Sequence, residues 1–345
     1  MSQAGPRISK QLADLSESTL RFYRQAGVEE VTLPARYVDE PRNSRPHVPP
    51  TQTGPAGPQP PPWTVEELTR MRERAAAFDL DATTIALPVS GAILMGLPER
   101  EADFETIRRA IGAAGRAGLS VLTYNFTALR ASEGYFALDG AGRGGAHLRG
   151  FDDDRIRDLP PYPTVGEHSR EQMWDRLVAF LRAVVPAAES AGVRLAMHPN
   201  DPPVPIYRGV AQPARTLQDW KDVVATVDSP ANTLFFDTGV STELGEDAPE
   251  AIRYFGSRDR IGTVHFRNVR VEVPYERYTE VFLDDGDCDV AACMRAFHEV
   301  GYRGGIDPDH SPGFDGDGVD THVGWAFAIG QLIALRAATR PTAGR

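Results

Sequence analysis

The chain has 345 residues, 41% of them hydrophobic and 25% charged, enough to bury a large core and without the bias of a disordered or fibrous sequence. Its net charge of −11 argues against nucleic acid as a partner, which needs a clustered basic face, and no apolar run is long enough for a membrane span. With only Cys288 and Cys293 there is no disulfide framework, and the opening Met1-Ser2-Gln3-Ala4-Gly5-Pro6 lacks the apolar stretch of a signal peptide, so a cytoplasmic protein is expected.

Short apolar runs alternate with longer amphipathic stretches throughout, the pattern of repeated β-α units around a parallel sheet. Strands are expected at 7–9, 30–33, 83–87, 120–125, 194–198, 233–237, 262–266 and 305–307. Helices are expected at 16–26, 64–78, 104–117, 170–191, 217–227, 248–255, 290–300 and 321–338. Gly27, Gly118, Gly192 and Gly301 stand where helices turn back toward the next strand. Eight such units predict a (β/α)8 TIM barrel in one domain spanning 1–345.

Two excursions break the rhythm, and both leave from the carboxyl end of a strand, the catalytic face of a barrel. The first, 36–62, is proline-rich and too poor in apolar residues for a core, so it reads as an extended flap. The second, 127–167, carries Gly142-Arg143-Gly144-Gly145 and Asp152-Asp153-Asp154 and reads as a lid or a subunit contact.

Four later strands each end on a ligand type: His198 before Pro199, Asp237 before Thr238-Gly239, His265 before Phe266-Arg267-Asn268, and Asp309 before His310. Side chains leaving consecutive barrel strands converge, so His198, Asp237, His265 and Asp309 are expected to hold one divalent metal. Each has a plainer reading: a histidine at a strand end often only lines a wall, Asp237 could cap the next turn, and Asp309 could merely hold His310. Recurrence on four consecutive strands favours the joint reading. Two imidazoles and two carboxylates suit Mn²⁺, with Fe²⁺, Co²⁺, Ni²⁺, Zn²⁺ or Mg²⁺ as alternatives, and the ion would serve as a Lewis acid toward hydroxyl or carboxylate oxygens.

The segments His198-Pro199-Asn200-Asp201-Pro202-Pro203, His265-Phe266-Arg267-Asn268-Val269 and Pro308-Asp309-His310 together resemble the mannonate dehydratases, metal-dependent barrels related to the xylose-isomerase-like group. Tyr124-Asn125-Phe126 and the stretch from Glu280 through Gly286-Asp287 and Asp289 add weaker support, so the likeness runs from about Tyr124 onward. It implies a Mn²⁺-type site at His198, His265 and Asp309, with Asp237 standing where the family has a cysteine. It also implies loss of water from an aldonic acid such as D-mannonate to give a 2-keto-3-deoxy sugar acid. The chain departs from the family in having no tyrosine after Tyr302, with Trp325 in the segment where a phenol is sought, and in the residues that follow Phe126.

Within this frame His310 is the expected proton-transfer residue, with support of a ligand as its other reading. Arg267 is expected at a substrate carboxylate, and Asn125, Asn268 and Glu280 at substrate hydroxyls. Asn200 and Asp201 either orient His198 or build the turn after it, and the cysteines read as structural. Two alternatives stay open: a sugar isomerase or epimerase using the same metal, and a noncatalytic metabolite-binding barrel. The expected partner is a small sugar acid or sugar derivative, with a homo-oligomer as the expected assembly.

Overall fold

The computed structural model describes residues 5–37, 62–318 and 321–341. From 38 to 61, the proline-rich excursion expected at 36–62 lies outside the described residues. The chain begins with β1 (Arg7–Gln11), α1 (Glu17–Ala26), β2 (Glu30–Leu33), α2 (Val65–Ala76), β3 (Asp81–Ala86), α3 (Gly91–Met95), α4 (Arg100–Arg116) and β4 (Val121–Asn125). Two strands, β5 (Tyr135–Leu138) and β6 (Leu148–Asp152), then precede α5 (Arg170–Ser190) and β7 (Arg194–His198). A small ribbon, β8 (Ile206–Tyr207) and β9 (Val210–Ala211), leads to α6 (Leu217–Thr226), β10 (Asn232–Asp237), α7 (Thr238–Glu243), α8 (Ala248–Gly256) and β11 (Ile261–His265). The hairpin β12 (Asn268–Val273) and β13 (Arg277–Val281), then α9 (Val290–Glu299), β14 (Gly305–Asp307) and α10 (His322–Ala338), complete the order.

Eight parallel strands close a barrel in the order β1-β14-β11-β10-β7-β4-β3-β2, the architecture the alternating pattern predicts. Barrel strands are covered on both faces, which is why Leu195, Ala196 and Met197 on β7 are all fully buried and the run is apolar without alternation. The helices start where side chains can accept the free N–H groups of the first turn. Ser16, Thr64, Ser169, Thr216 and Asp247 all do so, with complete capping boxes at Ser169 and Thr216. Helix α5 buries Met173, Leu177, Phe180, Leu181, Val184, Val185 and Ala188 along one face, each large side chain contributing about 1.5–3 kcal/mol. Among the described residues, no helix is long and apolar enough to cross a membrane.

The 127–167 insertion is more ordered than a loop. Its strands β5 and β6 join the β12–β13 hairpin that follows the seventh barrel strand, giving an antiparallel sheet in the order β12-β13-β6-β5. The register pairs Tyr135 and Tyr278 with Phe151, and Glu280 with Arg149. Because side chains alternate along a strand, Tyr135, Arg149, Phe151, Tyr278 and Glu280 share one face of this sheet.

Candidate metal and proton-transfer site

Strands β7, β10 and β11 are neighbours in the barrel, and their last residues are His198, Asp237 and His265. The register places Asp237 beside His265. One potential ligand atom from each of the three lies within 4.8 Å of the others. His198 gives its Nδ1–H to the Pro199 carbonyl at 2.8 Å, which leaves Nε2 turned inward, 3.1 Å from His265 Nδ1 and 3.4 Å from Asp237 Oδ2. A histidine anchored through one nitrogen with the other aimed at a carboxylate and a second imidazole is the arrangement of a metal ligand. Phe235 walls the pair, its ring centroid 4.0 Å from that of His265.

Asp237 does two jobs with two oxygens. Its Oδ1 accepts from the Val240 amide at 2.8 Å and caps α7, the plainer role the sequence allows, while Oδ2 faces His198, His265 and Arg267. Burial alone would raise the pKa of this fully buried carboxyl, but Arg267 and the two imidazoles outweigh burial and hold it well below the usual carboxylate range. It is therefore an anion at neutral pH. Burial works against protonation of His198 as well, and there Asp237 more than compensates, lifting the imidazole above its ordinary value. The donor set of two imidazoles and a buried anion fits a divalent cation.

Asp309 takes a left-handed backbone conformation, φ 53°, just beyond β14. Its Oδ1 lies 3.4 Å from His265 Nε2, so it stands at the other nitrogen of that ring, and its Oδ2 is 3.5 Å from Arg267 Nε. His310 is gripped on both sides: Nε2 is 2.8 Å from Asp309 Oδ2 and Nδ1 is 3.1 Å from Glu280 Oε2. With carboxylate oxygens at both nitrogens, both must carry protons. Burial opposes that charge, yet Asp309 and Glu280 push the pKa of His310 up to about 9.

Arg267 and Asn268 differ from their expected places. Arg267 is 2% exposed and every guanidinium nitrogen is engaged: Nε with Asp237 at 3.0 Å, Nη1 with Glu243 at 2.8 Å and Nη2 with Asp201 at 3.0 Å. It is the internal counter-cation of the carboxylates, buried and held by an acid at each nitrogen. Gly239 makes room for it, since a Cβ there would sit 2.7 Å from the guanidinium carbon. Asn268 is turned inward too, its amide tied to backbone atoms of Leu283, Cys288 and Val269, so it holds the loop after β13 instead of facing the mouth. Asn125 remains exposed at the end of β4, paired in register with His198. Glu280 is buried at the site, shared between His310 and Arg149, whose Nη1 lies 3.2 Å from its Oε1.

Of the two residues after His198, Asn200 builds the turn, donating to Thr127 Oγ1 and accepting from the Ala214 amide. Asp201 enters the site, where Oδ2 meets Arg267 and Oδ1 accepts from Tyr135 Oη at 2.7 Å and Tyr278 Oη at 3.3 Å. Burial raises both phenols well above their ordinary pKa, with Asp201 adding to the effect. Sequence reasoning missed Tyr135, Arg149, Tyr278 and Glu243. The one available signal was alternation, which puts Tyr278 on the same face as Glu280.

A protein-family model described as D-mannonate dehydratase matches residues 145–338. The mannonate dehydratase of Thermotoga maritima is 30% identical over 285 residues, covering 72% of this chain and 78% of that protein. Among solved structures, the mannonate dehydratase from Streptococcus suis serotype 2 superposes with a TM-score of 0.80 at 22% identity, covering 98% of this chain and 96% of that one. An L-ribulose 3-epimerase superposes with a TM-score of 0.57 at 16% identity, covering 97% and 95%. At such identities the two structures speak for the barrel alone.

Proposed function

The chain belongs to the mannonate dehydratase family of hydro-lyases, and from that premise we propose that it removes water from D-mannonate or a related aldonate, giving a 2-keto-3-deoxy sugar acid. The observation that carries the reading is the convergence of His198, Asp237 and His265 beside a histidine held between Asp309 and Glu280.

In this reading His198, Asp237 and His265 would hold the ion, and Asp309, which lies just beyond β14 at the other nitrogen of the His265 ring, is the expected fourth ligand. A divalent cation bound there, Mn²⁺ by the hardness of the ligands, supplies a Lewis acid for the carboxylate and neighbouring oxygen of the substrate. Dehydration needs the proton α to the carboxylate removed and the departing hydroxyl protonated. His310 fits the second task, because it carries a proton on each nitrogen. Its Nε2 proton faces Asp309, which itself lies against His265 and Arg267, so it is the proton on the ligand side. Asn125, exposed beside His198, is placed to meet a substrate hydroxyl.

The same reading takes the whole chain as one barrel domain that works as a homo-oligomer in the cytoplasm. Exposed Val323 and Phe327 on α10 offer apolar contact area for a second copy.

Incubation of the Mn²⁺-loaded protein with a panel of aldonates tests the reaction. The expected product is a 2-keto-3-deoxy acid lighter than its substrate by one water, with turnover lost on chelation and restored by added Mn²⁺. A product of unchanged mass would move the assignment to an isomerase or epimerase, and metal-independent turnover would end the Lewis-acid reading. His310→Gln is expected to lower kcat about 100- to 10,000-fold while metal content stays the same. Wild-type kcat in that variant would remove His310 from proton transfer.

A further inference from the structure

Among the described residues, Arg267, Lys10 and Arg149 lie beside acids at the strand ends, and they differ in how much of their hydrogen-bonding capacity is already used. Arg267 has all three guanidinium nitrogens engaged with carboxyl groups. Lys10 on β1 is 3% exposed, bonded to Asp307 Oδ1 at 2.7 Å and covered by the Trp325 ring, whose centroid lies 3.8 Å from its Nζ. Arg149 is different. Only its Nη1 is engaged, with Glu280, and among the described residues Nε and Nη2 have no partner. Its side chain is 42% exposed, so the unused edge of the guanidinium is open to a ligand.

The plane of that guanidinium is nevertheless fixed. It lies over the ring of Tyr135, 3.6 Å from the centroid, and Tyr135 is itself pinned through its hydroxyl to Asp201. Stacking on one side and an ion pair at one end pre-organise a planar fork, which is what recognition of a carboxylate requires. Glu280 ties Arg149 to His310, so the free edge stands one carboxylate away from the proton-transfer histidine. Asp201, Asp237, Asp309 and Glu280 line this rim and are already paired with Arg267 and His310, so among the described residues Arg149 is the cation there with nitrogens left for an anionic ligand.

We propose that Arg149, carried on β6 of the insertion, binds the carboxylate of the substrate and makes the enzyme select sugar acids over neutral sugars. The proposal rests on the sugar-acid reading above and names a residue for it on the insertion instead of on a barrel strand. The insertion is then a specificity element.

The test uses the metal-loaded, full-length protein with Arg149→Met and Arg149→Lys, assayed with the best aldonate and, for competitive inhibition, with the matching neutral alditol. Arg149→Met leaves Glu280 its bond to His310 and is expected to raise KM for the acid about 10- to 100-fold, with kcat within a few-fold. Arg149→Lys, which keeps the charge and loses the fork, falls between. The alditol inhibits all three forms alike. Should Arg149→Met fold poorly, as its melting temperature would show, Arg149→Lys carries the comparison. An unchanged KM in a folded variant, or equal weakening of acid and alditol, overturns the role of Arg149 and leaves the dehydratase reading standing. If the wild-type protein neither turns over nor binds any aldonate by calorimetry, both fall together.

Discussion

His265→Ala is expected to lose the bound ion and to lower turnover about 1,000-fold or more while the barrel stays folded. The imidazole offers a potential ligand atom 3.1 Å from His198 Nε2 and 3.5 Å from Asp237 Oδ2, so its removal opens the cluster on the side where the other two groups meet. Lewis-acid stabilisation of developing charge amounts to several kcal/mol, and each 1.4 kcal/mol is about tenfold in rate. Elemental analysis of the purified variant, alongside turnover, is the check. Asp237→Asn, which keeps the α7 cap available through its amide oxygen, should show the same loss of metal. One full equivalent of ion in His265→Ala, with normal turnover, would place the metal and the chemistry elsewhere.

Arg267→Met is expected to be the most destabilising single change at the site. The guanidinium is buried and satisfies Asp237, Asp201 and Glu243 together, so its removal leaves carboxyl groups without a counter-cation where water cannot replace it. Breaking a buried pair from one side costs about 3–5 kcal/mol. For a chain of this length that corresponds to roughly 4–7 °C in Tm, from an unfolding entropy of about 2 cal/mol/K per residue. Thermal unfolding of the metal-free protein isolates this effect from loss of the ion. A Tm within a degree of wild type would mean that the carboxylates find another partner and that Arg267 is not the keystone of their charge balance. Arg267→Lys should recover only part, because one ammonium cannot span three carboxylates.

The two outcomes separate roles that look alike in the sequence. His265 and Arg267 are two residues apart, yet one turns a ring nitrogen to His198 and Asp237 and the other gives its guanidinium to three acids. The sequence reading sent Arg267 to a substrate carboxylate because a guanidinium at a strand end suits one. It could not count the acids, Asp201 in one loop and Glu243 at the end of α7, that claim the same donors first. Asn268 follows a related logic: an amide is as useful to a loop backbone as to a sugar hydroxyl, and here both its oxygen and its nitrogen are bonded to the loop.

By itself the sequence determined the barrel and the residues at its strand ends. Those follow from local causes: apolar runs covered on two faces, helix caps, and the period that sets each strand against the next helix. Because β7, β10, β11 and β14 are successive barrel strands, order along the chain sufficed to bring His198, Asp237, His265 and Asp309 to one rim. Only the tertiary structure decided what surrounds them. The sheet that brings Tyr135, Arg149, Tyr278 and Glu280 to that rim pairs β6 with β13 across more than a hundred residues, and no periodicity within either strand specifies that partner. Which polar group spends its hydrogen bonds inward and which keeps them for a ligand is likewise set by neighbours distant in the chain, and so it becomes legible only once the fold has placed them.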